Sequence, residues 1–437
     1  MLWIGYTTRY REGSRQFARA AATLRESLAR AHPQQEVQLE ALEHKADFVA
    51  SMKRLRAAGA RLDELHFLGH SGMYGIMFGS RSWPEQFSPH EWRALDIPFA
   101  PGASAYFHAC RTARWFAPFF ARTFGVTTYG HHGYTTVSAR PDRFVFEGFG
   151  ERRGAIYLVS VPGRKTHGLL GSLRKYALRP HATPMLAFSP EPVANTGYDA
   201  VAELYDRAFA DIRVRYDEWR WLSERIRTAS AESGRAPRVL DLGCGNGALL
   251  LELEGRIASG VGVDSSRKML DFARRRAEHC PKLSFQPIDG PALPFPGGAF
   301  DLVTSFLSFR YLDWDPMLAE IRRVLAPGGR LLVVDMVEQA LGLRDAPRFA
   351  YAAAEQLVRR AAQRRFGRDL RALTSHPDWQ VMLRHNPIRA AHEYRFYFES
   401  RFPTRKVQIL NVGRHARIVA FDSGALAPGS LSPLSYP

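Results

Sequence analysis

Cysteine is scarce: the chain has three, Cys110, Cys244 and Cys280, among 437 residues. An odd number of widely spaced cysteines excludes a disulfide framework. Long apolar runs are missing as well. The longest candidate, ASAYFHAC, is strand-sized, whereas a membrane span needs about 18 apolar residues. The opening stretch, MLWIGYTTRYREG, lacks the basic segment and apolar core of a secretory leader, so the expected location is the cytoplasm. Lysine is nearly absent: seven lysines stand beside 53 arginines in a chain of net charge +17. Such an imbalance suits an arginine-rich coding bias as well as a phosphate-binding surface. The arginine clusters at 274–276, 359–360 and 364–365 fall on helical stretches, where a solvated face explains them. Charge alone supports only non-specific attraction, so nucleic acid is not an expected partner.

What is there is strand and helix in alternation, twice over. In the first half, LWIGY, EVQLEAL and LDELHFLGH read as strands, and SRQFARAAATLRESLARA and ADFVASMKRLRAAG as helices with apolar residues three and four apart. ASAYFHAC and GAIYLVSV are further buried-strand candidates. Strands separated by helices predict βαβ units and a parallel sheet. The segment RPHATPMLAFSPEPVANTG, with four prolines and little periodicity, reads as a linker. The expected organisation is a first α/β domain over 1–178, a linker over 179–197 and a second α/β domain over 198–437. The final strands, RKVQILNVG and HARIVAFDS, look like an antiparallel hairpin finishing a mostly parallel sheet.

RVLDLGCGNGALL is the most informative stretch. A buried strand runs into a turn rich in glycine, Gly243-Cys244-Gly245-Asn246-Gly247, that opens a helix. Glycines there let the backbone bend sharply and approach a ligand, and the helix start offers free N–H groups. The next strand, GVGVD, ends at Asp264, seventeen residues after Gly247, where a carboxylate can accept from both hydroxyls of a ribose. A third strand ends at Asp289, placed for an adenine amino group. The spacing G-x-G-x-G differs from the G-x-G-x-x-G of dinucleotide-binding enzymes.

Together, D-L-G-C-G-N-G, G-V-D, L-P-F-P-x-x-x-F-D-L-V and L-A-P-G-G-R-L resemble the class I S-adenosylmethionine-dependent methyltransferases, in particular those acting on small molecules such as quinones. The resemblance covers about 198–424 and implies a seven-stranded, doubly wound, Rossmann-like sheet. It implies that Asp241, Gly243, Gly245 and Gly247 line the methionine end of the cofactor, Asp264 the ribose and Asp289 the adenine. The upstream YDAVAELYDRAF resembles the family's leading helix, where Tyr205 would cover the cofactor. The chemistry is mostly positioning, because the sulfonium is already activated. A general base is needed only for an acceptor that must lose a proton. His376, His385 and His392, in the late insertion, are each open to that role and to plain packing. The aromatic group Tyr394, Phe396, Tyr397, Phe398 suits an apolar acceptor pocket or a core strand equally.

In the first half, LHFLGHSG puts His70 after one buried strand, and ASAYFHACRTA puts Cys110 at the end of another. Neighbouring parallel strands share an edge at their carboxyl ends, so the two can face each other as a thiolate–imidazole dyad. The pattern resembles the caspase-like cysteine peptidases over about 1–165. It implies a parallel sheet flanked by helices, with His70 as base and acid and Cys110 as nucleophile. The oxyanion hole would come from the Cys110 N–H and one near Gly72. Ser71 stands where that family has glycine, with the glycine one place later. Whether this domain is active or a degenerate binding module stays open. No histidine or cysteine pattern has metal-ligand spacing, so no metal is expected.

The expected protein is a two-domain α/β enzyme that moves the methyl of S-adenosylmethionine to a small, apolar acceptor. A peptide or protein substrate would belong to the first domain. The alternatives are a regulatory or peptidase protein whose second half only senses S-adenosylmethionine, and an RNA methyltransferase.

Overall fold

Leu2, Trp3 and Ile4 are all buried, so strand β1 (Leu2–Thr7) is covered on both faces, as a central strand of a parallel sheet must be. It lies between β2 (Val37–Leu42) and β3 (Leu62–Leu68), both parallel to it. The short strands β4 (Ser71–Gly72), β5 (Gly75–Gly79) and β6 (Pro84–Gln86) form an antiparallel meander after β3. The main sheet continues from β3 through β7 (Phe99–His108) to β8 (Thr127–Gly130), still parallel. On one face Trp3, Phe67 and Phe107 pack against the helices Lys45–Ala57, Pro89–Ala94 and Phe116–Phe124. On the other, Ile4 and Leu68 meet Ala20 and Ala21 of the helix Ser14–Ala31.

The computed structural model describes residues 1–145, 154–160, 181–191, 197–338, 347, 364–385, 388–412 and 417–426. The chain divides into two compact units, Met1–Val193 and Ala194–Pro437.

Two sequence expectations change in the first unit. GAIYLVSV does not join the main sheet: its β10 (Tyr157–Ser160) pairs antiparallel with β9 (Thr135–Ser138) as a separate ribbon. Part of the expected linker is a strand. β11 (Leu186–Phe188) closes the main sheet antiparallel to β8. Proline-rich sequence is compatible with a sheet edge, where a missing N–H faces outward.

In the second unit, β12 (Arg238–Leu242), β13 (Ser259–Asp264), β14 (Leu283–Pro287), β15 (Phe300–Phe306) and β16 (Leu325–Glu338) run parallel in the order β14-β13-β12-β15-β16. The two-residue β17 (Arg389–Ala390) pairs with β16 off this path. The hairpin of β18 (Gln408–Val412) and β19 (Arg417–Asp422) completes the sheet antiparallel, as its sequence suggested. The chain leaves β12 toward β13 on one side and returns through β15 on the other. In such sheets ligands bind outside the carboxyl ends of the strands where the order reverses. Here that is the crevice between the ends of β12 and β15.

Candidate functional site

β12 ends at Leu242 and the chain turns through Gly243, whose φ of +72° favours glycine. A Cβ there would lie 2.4 Å from the Cβ of Ser308, in the loop after β15. Gly247, at φ +74°, starts the helix Ala248–Leu253 and packs against Ala273 and Phe285, again without room for a side chain. The N–H groups of Gly243 and Cys244 donate to the Val263 carbonyl at 2.8 and 3.0 Å, which ties the turn to β13.

At the end of β13 the Asp264 carboxylate accepts the Gly245 N–H and the Ser266 N–H, each at 2.8 Å. Burial pushes this carboxyl up and the backbone donors pull it down, with burial the larger effect. Each carboxylate oxygen retains lone pairs, so the group fits a further donor such as a ribose hydroxyl. Asp241 is buried beneath the turn, where the Thr304 hydroxyl donates to it at 2.8 Å. Burial pushes its carboxyl up to about 7. A buried carboxylate with one hydrogen-bond donor among the described residues is suited to a nearby positive charge. Burial also pushes the Cys244 thiol up. Asp289 is exposed just beyond β14.

The helix Ala202–Ala208 is held onto the glycine turn. Asn246 Nδ2 donates to Asp206 Oδ1 at 3.0 Å and to the Phe209 carbonyl at 3.2 Å. Arg276 pairs with the same aspartate at 2.9 Å, and the Ser266 hydroxyl donates to Asp199. Tyr205 on this helix is half-buried, 5.4 Å from the Tyr198 ring and 6.5 Å from Trp379. The helices Arg364–Ser375 and Pro377–His385 join the same cluster through Phe366, Leu373 and Trp379.

Structure thus brings Asp241, Gly243, Gly245, Gly247 and Asp264 to one sheet edge, with the Tyr205 helix tied to them. Sequence reasoning missed Asn246, Thr304, Ser308, Tyr198 and Tyr311; of these, Asn246 inside the glycine turn and Tyr198 at the head of YDAVAELYDRAF carried a signal. His376 sits between two helices, its Nδ1 accepting the Asp378 N–H at 3.3 Å. His392 meets Phe396, ring centroids 5.9 Å apart. The side chain of His385 lies outside the described residues. Tyr394, Tyr397 and Phe398 are buried on the helix Ala391–Arg401, in the core with Trp314 and Phe421. They lie on a helix, not on the strand that their composition allowed.

In the first unit, His70 and Cys110 follow β3 and β7, which are neighbouring parallel strands. The Ser71 hydroxyl donates to the Cys110 carbonyl. The Thr135 N–H points at Cys110 Sγ, 3.3 Å away, and the Thr135 hydroxyl is also at 3.3 Å. His70 Nε2 lies 2.7 Å from the Glu12 carbonyl, and its ring stands edge-on to Phe17 and Tyr10. Arg111 takes φ +59°, a strained value for a side-chain-bearing residue. Gly72 forms one end of the β4–β5 hairpin.

Residues 239–329 match the family described as methyltransferase domain. The second unit carries a methyltransferase domain of the S-adenosylmethionine-dependent class. S-adenosylmethionine is the cofactor of this domain, and the buried carboxylates and glycine turn fit it. The chain is 42% identical over 142 residues to a demethylmenaquinone methyltransferase of Thermus thermophilus, covering 29% of this chain and 63% of that protein. It is 34% identical over 155 residues to a ubiquinone/menaquinone biosynthesis C-methyltransferase of Desulfotalea psychrophila, covering 35% and 61%. The chain therefore spans less than two thirds of the length of these curated relatives. Among solved structures, a SAM-dependent methyltransferase from Aquifex aeolicus aligns with 43% of this chain and 81% of its own, at TM-score 0.29 and 16% identity. No helix among the described residues is long and apolar enough to cross a membrane. No group of three or more His, Cys, Asp or Glu among them is placed to hold a metal ion.

Proposed function

We propose that the second unit transfers the methyl group of S-adenosylmethionine to a small, apolar acceptor. The observation that carries this reading is the Asp264 carboxylate, fixed between the Gly245 and Ser266 N–H groups opposite the glycine turn. The cofactor supplies an activated methyl on a sulfonium. The chain's own part is to bind and orient: Asp264 accepts from the ribose, the turn from Gly243 to Gly247 admits the methionine end, and buried Asp241 offers negative charge to a cation. Asp289 would meet the adenine and Tyr205 would cover the cofactor. The relatives named for demethylmenaquinone and for ubiquinone/menaquinone biosynthesis support an apolar acceptor. Incubation with methyl-tritiated S-adenosylmethionine and a cell extract tests the reading, with label followed into organic, RNA and protein fractions. Label in the organic fraction is expected. Label in RNA alone would favour the RNA alternative, and cofactor bound without turnover would favour a sensor.

A second reading concerns Cys110 in the first unit, as the nucleophile of a caspase-like cysteine peptidase with His70 as its base and a peptide as substrate. Its support is the position of both residues after neighbouring parallel strands, with the Thr135 N–H directed at Sγ. Alkylation of each cysteine near pH 6, followed by mass spectrometry, tests it. Cys110 is expected to outpace Cys280 and Cys244, and to lose that lead in His70→Ala. Equal rates at Cys110 and Cys280 would leave the unit a scaffold.

A further inference from the structure

The helix that begins with Arg364 and Arg365 reads from sequence as a solvated face, and the fold gives that face a place. The chain from Tyr198 to Ala208 crosses the mouth of the crevice. The Tyr198 hydroxyl lies 3.0 Å from that of Tyr311 in the loop after β15, and Asp206 is held by Asn246 in the glycine turn. The helix Arg364–Ser375 packs on the helix Ala202–Ala208, its Phe366, Leu370 and Leu373 in one apolar cluster with Leu204, Tyr205 and Phe209. The helix Arg267–Arg276, which starts beside Asp264, lies against the same helix. Together the three carry ten basic and four acidic side chains.

Pairing sets this rim apart from the rest of the unit. At the amino ends of the strands, Arg235 and Arg238 pair with Asp301 at 2.6 and 3.0 Å, Arg323 pairs with Glu320 at 2.7 Å, and Arg330 pairs with Glu232. Around the crevice, Arg207, Arg267, Lys268, Arg364 and Arg371 are all exposed, and none has an ion-pair partner among the described residues. Arg365 and Arg368 share one carboxylate, Asp369, at 3.9 and 3.5 Å. Unpaired cations gathered on one rim attract an extended anionic surface. The field of such a surface reaches about 10 Å at about 0.1 M salt and acts on all of them at once.

We infer that this rim is a docking surface for an anionic phospholipid bilayer, set so that the mouth of the cofactor crevice meets the membrane. The choice of a bilayer rests on the apolar acceptor proposed above, because an apolar molecule leaves water for the hydrocarbon of a membrane. Single-stranded nucleic acid, the other extended anion, is held by outward aromatic rings on which bases stack. Here Phe366, Tyr205 and Phe209 belong to the apolar cluster between the helices, and Arg275 caps the Phe272 ring at 4.7 Å.

Cosedimentation of the full chain with vesicles of phosphatidylcholine, with and without about one third phosphatidylglycerol, tests the surface without any turnover. The wild type should bind the anionic vesicles and not the neutral ones, and about 0.5 M salt should release it. The combined variant Arg364→Gln, Arg368→Gln, Arg371→Gln should bind about a hundredfold more weakly, near fivefold per charge. The combined variant Arg25→Gln, Arg30→Gln, Arg61→Gln removes the same charge from exposed positions of the first unit. Its binding should change by less than about threefold. Affinity for S-adenosylmethionine within about twofold of the wild type verifies that both variants are folded. No binding of anionic vesicles by the wild type, equal binding of neutral ones, or an equal loss in the two variants overturns the surface. Binding of a single-stranded RNA in place of the vesicles overturns it as well. No methyl transfer enters this readout, so the tritium experiment above decides the methyltransferase reading separately.

Discussion

Ser308 occupies the space that any side chain at Gly243 would need, its Cβ 2.4 Å from where a Cβ would be. The turn after β12 and the loop after β15 are therefore packed against each other at the crevice. Gly243→Ala combines this overlap with a left-handed backbone and should cost roughly 2–4 kcal/mol. Thermal unfolding should show a fall in midpoint. Adding Ser308→Gly should recover only part of it, because the strain of φ +72° remains.

Asn246 holds the helix Ala202–Ala208 to the turn through Asp206 and the Phe209 carbonyl. Asn246→Ala removes both hydrogen bonds and leaves the Arg276–Asp206 pair. The expected result is a roughly tenfold loss of S-adenosylmethionine affinity, about 1.4 kcal/mol. Limited proteolysis should cut the helix sooner in the variant, and added cofactor should restore protection. Unchanged affinity and proteolysis would show that the helix is held by its apolar contacts alone.

Asp241 makes stability depend on pH. Its folded pKa, about 7, lies above the unfolded value near 3.8. Between those values the folded state binds more protons, so stability falls as pH rises across that window. Asp241→Asn should remove this slope and raise the unfolding midpoint of the cofactor-free protein at pH 8. The same variant should bind S-adenosylmethionine more weakly, having lost the charge that faces a cation.

The first unit should be acid-labile for the opposite reason. His66, His108 and His131 lie along β3, β7 and the end of β8, with His66 Nδ1 3.2 Å from His108 Nε2 and Glu64 2.8 Å from His66 Nε2. Burial lowers all three, and pushes His131 down to about 4. Neither ring nitrogen of His131 has a hydrogen-bond partner among the described residues. At His131 the unfolded chain takes up a proton below about pH 6.5 and the folded one only near 4, so stability is lost as pH falls through that range. His131→Leu should stabilise the protein at pH 5 by up to about 2 kcal/mol and do so less at pH 7.5. Calorimetry at both values checks this.

The sequence made some of this legible and hid the rest for physical reasons. The helix Ser14–Ala31 and strands β1 to β3 were readable because their apolar periods match burial on a local scale. The glycine turn was readable because its chemistry sits in five consecutive residues. GAIYLVSV has the composition of a buried strand, yet its partner is β9, and composition does not say which strand it joins. Leu186–Phe188 was hidden among prolines. The helix Ala391–Arg401 was hidden by aromatic residues that suit strands as readily. The Tyr198–Tyr311 pair joins residues 113 positions apart, and only the fold brings them together.

The most direct measurement is a calorimetric titration of S-adenosylmethionine into the wild type and Asp264→Ala. The expected result is saturable binding of one cofactor by the wild type, and binding weakened at least about a hundredfold in the variant, from the lost charge-assisted hydrogen bonds to the ribose. Cooperative unfolding of the variant would show that its fold is kept. No binding by the wild type, or equal binding by a folded Asp264→Ala, would contradict a cofactor site at the ends of β12 and β13.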